Sequence, residues 1–164
     1  MKAALDALEI FLQPGDIYFG EGKTRIRTLL GSCVAITLWH PQRQIGGMCH
    51  YMLPQRPRPK PGDEMDGRYA EDAMQMFMRE LRRSKSKPSD YQAKLFGGGS
   101  MFVQPSHARA GMNISQKNVE FGRALMTQYG FKTHGEDLGG NGHRNVILDI
   151  WSGDVWVRRA KGAV

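Results

Sequence analysis

Two apolar runs of strand length, "VAITLW" (34–39) and "GGMCHYML" (46–53), flank the polar turn "HPQRQ" (40–44), a spacing that dictates an antiparallel hairpin. A second pair, "NVILDIW" (145–151) and "VWVRR" (155–159), is joined by "SGD" and reads the same way. "KLF" (94–96) is a further strand that enters a glycine turn. Helical spacing appears twice. "RYAEDAMQMFMRELRR" (68–83) places Ala70, Ala73, Met74, Phe77 and Leu81 on one face. A second helix starts at Asn113 or Ser115, runs through "QKNVEFGRALMTQY" with Phe121, Ala124 and Leu125 inward, and stops at Gly130. Strands outnumber helices and do not alternate with them, so the expected class is α+β: mainly antiparallel sheets with helices packed outside. The intervening "PQRPRPKPGDEMDG" (54–67), with four prolines, is an exposed loop. The 164 residues are expected to form a single domain, with residues 1–15 as an N-terminal extension and 160–164 as a flexible tail.

Composition removes several function classes. No apolar run approaches the roughly 20 residues that cross a bilayer, so stable membrane insertion is not expected, and the acids within "MKAALDALEIFLQPGD" are unlike a secretory signal. The expected location is the cytoplasm, where two cysteines are free thiols rather than a bridge. The histidines His40, His107 and His134 show no ligand spacing with one another or with the cysteines, so no metal is expected. No cofactor is expected either: "FGGGSMF" (96–102) lacks the ending of a phosphate loop and reads as a tight turn that lets backbone approach the neighbouring strands. "GGNGHR" (139–144) likewise reads as a glycine turn. The net charge of +7 favours acidic partners, with basic residues concentrated in "RPRPK" (56–60) and "RELRRSKSK" (79–87). Nucleic acid is not an expected partner, because the basic runs lack an aromatic stacking platform and no helix-turn-helix pattern is present.

The two cysteines differ in what their positions permit. Cys33 follows Gly31 and Ser32 at a turn-to-strand junction, where exposed N–H groups can stabilise a developing oxyanion. Cys49 lies inside a strand next to His50, and period-2 alternation sends the two side chains to opposite faces. Folding the hairpin instead brings the start of the first strand opposite the later part of the second. That fits a Cys33–His50 pair, 17 residues apart, better than a Cys49–His50 pair, and Cys49 reads as a core residue; position alone leaves Cys33 open to the same core reading, since free cysteine is among the most buried residue types. A thiol beside an imidazole is the minimum for opening a carboxamide through a thioester: the imidazole takes the thiol proton, forming a thiolate–imidazolium pair, and later protonates the departing amine.

Four separated stretches, "LLGSCVAITLWHP", "GGMCHYMLP", "KLFGGGSMF" and "EDLGGNGHRNVILDIWSGDVWVRR", resemble in order the signatures of the CheD family of chemoreceptor glutamine deamidases, from about Ile17 to Arg159. The resemblance implies a cysteine hydrolase fold, Cys33 as nucleophile and His50 as its base. It also implies a threonine upstream of Leu-Gly-Ser-Cys that orients the histidine. Thr28 is the nearest one, although an ungapped match to the family spacing lands on Arg27. The implied substrates are glutamine side chains on cytoplasmic helices of chemoreceptors, with receptor methyl esters as a second substrate. The implied binding partner is a CheC-type phosphatase, and a non-enzymatic adaptor is the alternative reading. One departure stands out: the family's Ile-Gly-x-Arg-Asn at the second helix reads "ISQKN" (114–118) here, so Ser115 and Lys117 replace glycine and arginine.

Overall fold

The computed structural model describes residue 1, residues 6–101 and residues 113–160. Among these residues, nine strands form two sheets. One sheet, in the order β1-β3-β8-β9, consists of β1 (Leu8–Leu12), β3 (Thr24–Leu30), β8 (Arg144–Asp149) and β9 (Val155–Arg159). The other, in the order β2-β5-β4-β6-β7, consists of β2 (Ile17–Glu21), β5 (Ile45–Tyr51), β4 (Val34–His40), β6 (Gln92–Gly97) and β7 (Thr133–Leu138). Five strand pairings are antiparallel; β1 with β3 and β6 with β7 are parallel. Both expected hairpins are present, as β4–β5 and β8–β9. Two helices, α1 (Ala70–Arg83) and α2 (Ile114–Tyr129), complete the α+β fold.

Alternation along the strands sorts the apolar side chains into two cores. Val34, Ile36 and Leu38 of β4, with Cys49 and Tyr51 of β5, pack under Met74, Phe77 and Leu81 of α1 and Leu125 of α2. The intervening Ala35 and Met48 face the other way, onto Ile26, Leu30, Val146 and Leu148 of the four-stranded sheet. The molecule is therefore three layers deep, helices on one side only and a second sheet on the other. Trp39 fastens the two sheets by donating from Nε1 to the Ile150 carbonyl at 2.7 Å.

The buried face of α1 is the one its periodicity predicts, with Asp72 added. Its first N–H groups are satisfied by the chain that leaves β5: Ala70 donates to Leu53 and Glu71 to Pro54. Helix α2 starts at Asn113, whose side chain accepts from the Gln116 N–H in a reciprocal capping box, and stops at Gly130 in the left-handed conformation. Its buried face differs from the expected one. Ser115, Asn118, Val119, Gly122, Leu125 and Met126 point inward, Phe121 is half-buried and Ala124 is exposed. The stripe is turned because glycine and small polar residues, not only apolar ones, occupy the closest approach to the sheet. Gly122 fits against the Tyr51 ring, where a Cβ would clash with the phenol oxygen.

Residues 1–15, expected as an extension, contain β1, which joins the four-stranded sheet edge beside β3. At the other end, Ala160 donates to the His143 carbonyl at 2.9 Å. The rest of the expected tail, 161–164, lies outside the described residues, as does His107. No helix among the described residues is long and apolar enough to cross a membrane.

Candidate active site

His50 occupies the second-last position of β5, opposite Ala35 of β4. Both face the interior between the two sheets, where β3 crosses. Thr28 of β3 is buried there, and its Oγ1 lies 2.6 Å from His50 Nδ1. The same hydroxyl donates to the Leu12 carbonyl at 2.9 Å. A hydroxyl has one proton to give. With that proton engaged by Leu12, Thr28 can only accept from the ring, which assigns the proton to Nδ1 and leaves the Nε2 lone pair available. His50 Nε2 is buried and has no hydrogen-bond partner among the described residues.

Cys33 immediately precedes β4, two residues before Ala35, and packs partly buried against the inter-sheet cluster. It therefore shares a face with His50 as its diagonal neighbour across the β4–β5 pair, a relation of roughly 7–8 Å that long side chains span. Cys49 behaves as alternation predicts. It is fully buried in the helix-side core, and burial pushes its thiol up to about 12. Burial also raises the Cys33 thiol and lowers His50 to about 4, the latter only partly offset by the Asp16 carboxylate. Both shifts disfavour charge, so burial favours the thiol and the neutral imidazole over the ion pair in the resting site.

The loop before Cys33 is held by its carbonyls. Gly99 N–H donates to Gly31 at 2.9 Å and Gly98 N–H to Cys33 at 2.8 Å, so the glycine turn after β6 does approach this strand directly. Only glycine fits at position 97: its φ is +110° and a Cβ would collide with the Cys33 carbonyl. Asn118, fully buried on α2, donates from Nδ2 to the Ser32 carbonyl at 3.1 Å and to the Met52 carbonyl at 2.8 Å. Among the described residues no group of three or more His, Cys, Asp or Glu is arranged to hold a metal ion.

A family model described as CheD chemotactic sensory transduction matches residues 52–159. A probable chemoreceptor glutamine deamidase CheD 3 of Dechloromonas aromatica is 48% identical over 164 residues, covering 99% of this chain and 95% of the relative. The chain belongs to the CheD family. A probable chemoreceptor glutamine deamidase CheD of Pseudomonas savastanoi pv. phaseolicola is 49% identical over 158 residues, 96% of this chain and 88% of the relative. Among solved structures, the hypothetical protein YfiH of Bacillus licheniformis aligns with a TM-score of 0.48 at 16% identity, over 74% of this chain and 49% of that one. Thr28, Cys33 and His50 precede the span of the CheD family model, whereas the alignment to the Dechloromonas CheD relative covers 99% of the chain.

Two residues of this CheD-family chain were not singled out by sequence reasoning. Asn118 carried a signal, since it keeps the asparagine of the family's Ile-Gly-x-Arg-Asn, but nothing in the sequence says what a buried asparagine holds. Arg144 is buried and donates to the Gly97 and Gly139 carbonyls, bracing the glycine turn from behind. Ser115 and Lys117, the two departures, diverge in fate: Ser115 is buried and donates to Asn113 Oδ1 at 2.7 Å, while Lys117 is exposed.

Proposed function

We propose that the chain is a cytoplasmic protein-glutamine deamidase acting on chemoreceptors in chemotactic adaptation, with Cys33 as nucleophile, His50 as base and Thr28 as the group that orients it. The observation that carries the reading is the hydrogen-bonded order Leu12 carbonyl, Thr28 hydroxyl, His50 Nδ1, with the Nε2 lone pair unengaged. The names of the relatives supply the substrate class.

In this mechanism the Cys33 sulfur attacks the carboxamide carbon as its proton passes to His50 Nε2. The tetrahedral intermediate collapses when the C–N bond breaks and His50 returns that proton to the leaving nitrogen as ammonia. Water then attacks the thioester carbon, giving a proton to the same Nε2. The C–S bond breaks, the proton returns to sulfur, and glutamate is released. A methyl ester enters by the same route with methanol leaving, which accounts for a second, methylesterase activity. Exposed Leu29, Met52, Leu53, Met101 and Ile114 lie beside this loop in sequence or on the elements that hold it, an apolar rim that fits a protein substrate.

The test is intact-mass analysis of purified receptor cytoplasmic fragments incubated with wild type and with Cys33→Ala. Wild type adds the mass of an amide-to-acid conversion at each modified glutamine and the variant adds none. No mass change with either protein, together with retained binding to receptor or to a CheC-type phosphatase, would replace the enzyme with an adaptor.

A further inference from the structure

The carbonyls of Gly31, Ser32 and Cys33 all accept hydrogen bonds, from Gly99 N–H, Asn118 Nδ2 and Gly98 N–H. The amides of the same loop are different: among the described residues, neither the Ser32 nor the Cys33 N–H has an acceptor. A loop whose acceptors are all tied back and whose donors are unpaired is built to receive negative charge. The peptide planes explain how the donors are aimed. The peptide bonds of the described residues are all trans, so the Ser32 carbonyl and the Cys33 N–H lie in one rigid plane and point in opposite directions. Whatever fixes the carbonyl aims the N–H.

For the Gly31 and Cys33 carbonyls that anchor is backbone, supplied by the glycine turn. For Ser32 it is a single side chain. Asn118 spends both of its amide protons on Ser32 and Met52, and its Oδ1 is buried without a partner. An orphaned buried acceptor is destabilising, a cost tolerated where function requires the donors. Its backbone is fixed in turn, because the Tyr51 hydroxyl donates to the Asn118 carbonyl at 2.5 Å. One asparagine thus connects the residue before Cys33 with the second residue after His50.

Resting on the amide-hydrolase reading above, we propose that Asn118 is a positioning residue: by holding the Ser32 carbonyl and the Met52 carbonyl, it aims the Cys33 N–H at the oxyanion that forms when the substrate carboxamide is attacked. Asn118→Ala removes both donors, and Asn118→Asp replaces them with acceptors at nearly constant volume. Each variant is compared with the full-length wild type for kcat and KM on a receptor fragment, for the rate at which iodoacetamide alkylates Cys33, and for Tm. Alkylation displaces iodide at a saturated carbon and develops no oxyanion. The expected result is a fall in kcat of about 10²–10³-fold, the size of losing one oxyanion donor, with KM and the alkylation rate within a few-fold of wild type. A folded variant that keeps wild-type kcat, or that loses kcat and alkylation in parallel, overturns the proposal.

Wild type offers a measurement independent of whether the variants fold. A peptide aldehyde with a glutamine-like side chain forms a hemithioacetal on Cys33, and the Cys33 amide proton moves downfield if it donates to the new oxygen. An unmoved resonance also overturns the proposal. Failure of the parent reading would show instead as wild type that does not convert receptor glutamine, so the two failures are distinct.

Discussion

His50 can act as a base only if its proton is on the far nitrogen, and Thr28 is the one side chain seen to decide this. Replacing Thr28 with Val keeps the shape of the side chain and removes the acceptor, so Nδ1 loses the bond that fixes the tautomer. Thr28→Val is expected to lower kcat about 10²-fold, within the usual range for general-base catalysis, while Thr28→Ser restores most of the rate. Equal activity of wild type and the valine variant in a receptor-fragment assay would remove Thr28 from the site. The protonation state gives a second expectation. Burial lowers His50 to about 4 and raises Cys33, so the form the proposed mechanism starts from, thiol with neutral imidazole, spans neutral pH. The acid limb of kcat/KM should therefore fall well below the ordinary histidine value of about 6.5. The unfolded chain binds the His50 proton below about 6.5 and the folded one only near 4, so His50 contributes stability that is complete above about 6.5 and is lost as pH falls toward 4. An acid limb centred at 6.5 or above would show that the imidazole is not buried in the active form.

At the scale of elements, the glycine turn after β6 is the part that a small change breaks most selectively. Gly97→Ala puts a Cβ against the Cys33 carbonyl at a φ of +110°, and the Cys33 loop must move to admit it. The conformation alone costs an alanine of order 1–3 kcal/mol. The expected outcome is a lower denaturation midpoint together with lost activity, checked by urea unfolding and the deamidation assay on the same preparation; unchanged values for both would mean the turn is not rigid. Much of this layout was legible before the structure. The β4–β5 hairpin followed from two apolar runs and a polar turn, and with it came the opposite fates of Cys49 and His50. The glycine-rich "FGGGSMF" was legible as a close approach of backbone. Strands β1, β2 and β3 were not, because "LEIFL", "IYFGE" and "TRIRTLL" mix charge with apolar residues and their partners are distant in sequence. Arg25 in β3 is buried against Asp149 of β8, which meets it at 2.7 Å, a pairing across 124 residues that no local pattern announces. The Thr28 ambiguity had the same origin: counting residues could not choose between Arg27 and Thr28, whereas strand alternation in β3 turns Thr28 toward His50 and Arg27 toward Glu9.

For the whole molecule, the question is how a net charge of +7 would act on the proposed receptor substrate if that substrate is acidic. The basic run at the end of α1, with Arg82, Lys85 and Lys87 exposed, lies on the helix layer, and the five-stranded sheet separates that layer from the face carrying Cys33 and His50. Layers packed about 10 Å apart exceed the roughly 8 Å screening length of physiological salt. The helix end therefore adds to the long-range field that gathers substrate without touching the bound glutamine. Rising salt should raise KM several-fold and leave kcat nearly constant, since the proposed mechanism places the chemistry in a buried pair that added ions do not reach. Neutralising Arg82, Lys85 and Lys87 together should raise KM at low salt, leave kcat unchanged, and give a shallower dependence of KM on salt. Initial rates on a receptor fragment at a series of sodium chloride concentrations check all three expectations. A salt response confined to kcat would mean that electrostatics acts at the site itself, and a flat response would remove charge from substrate selection.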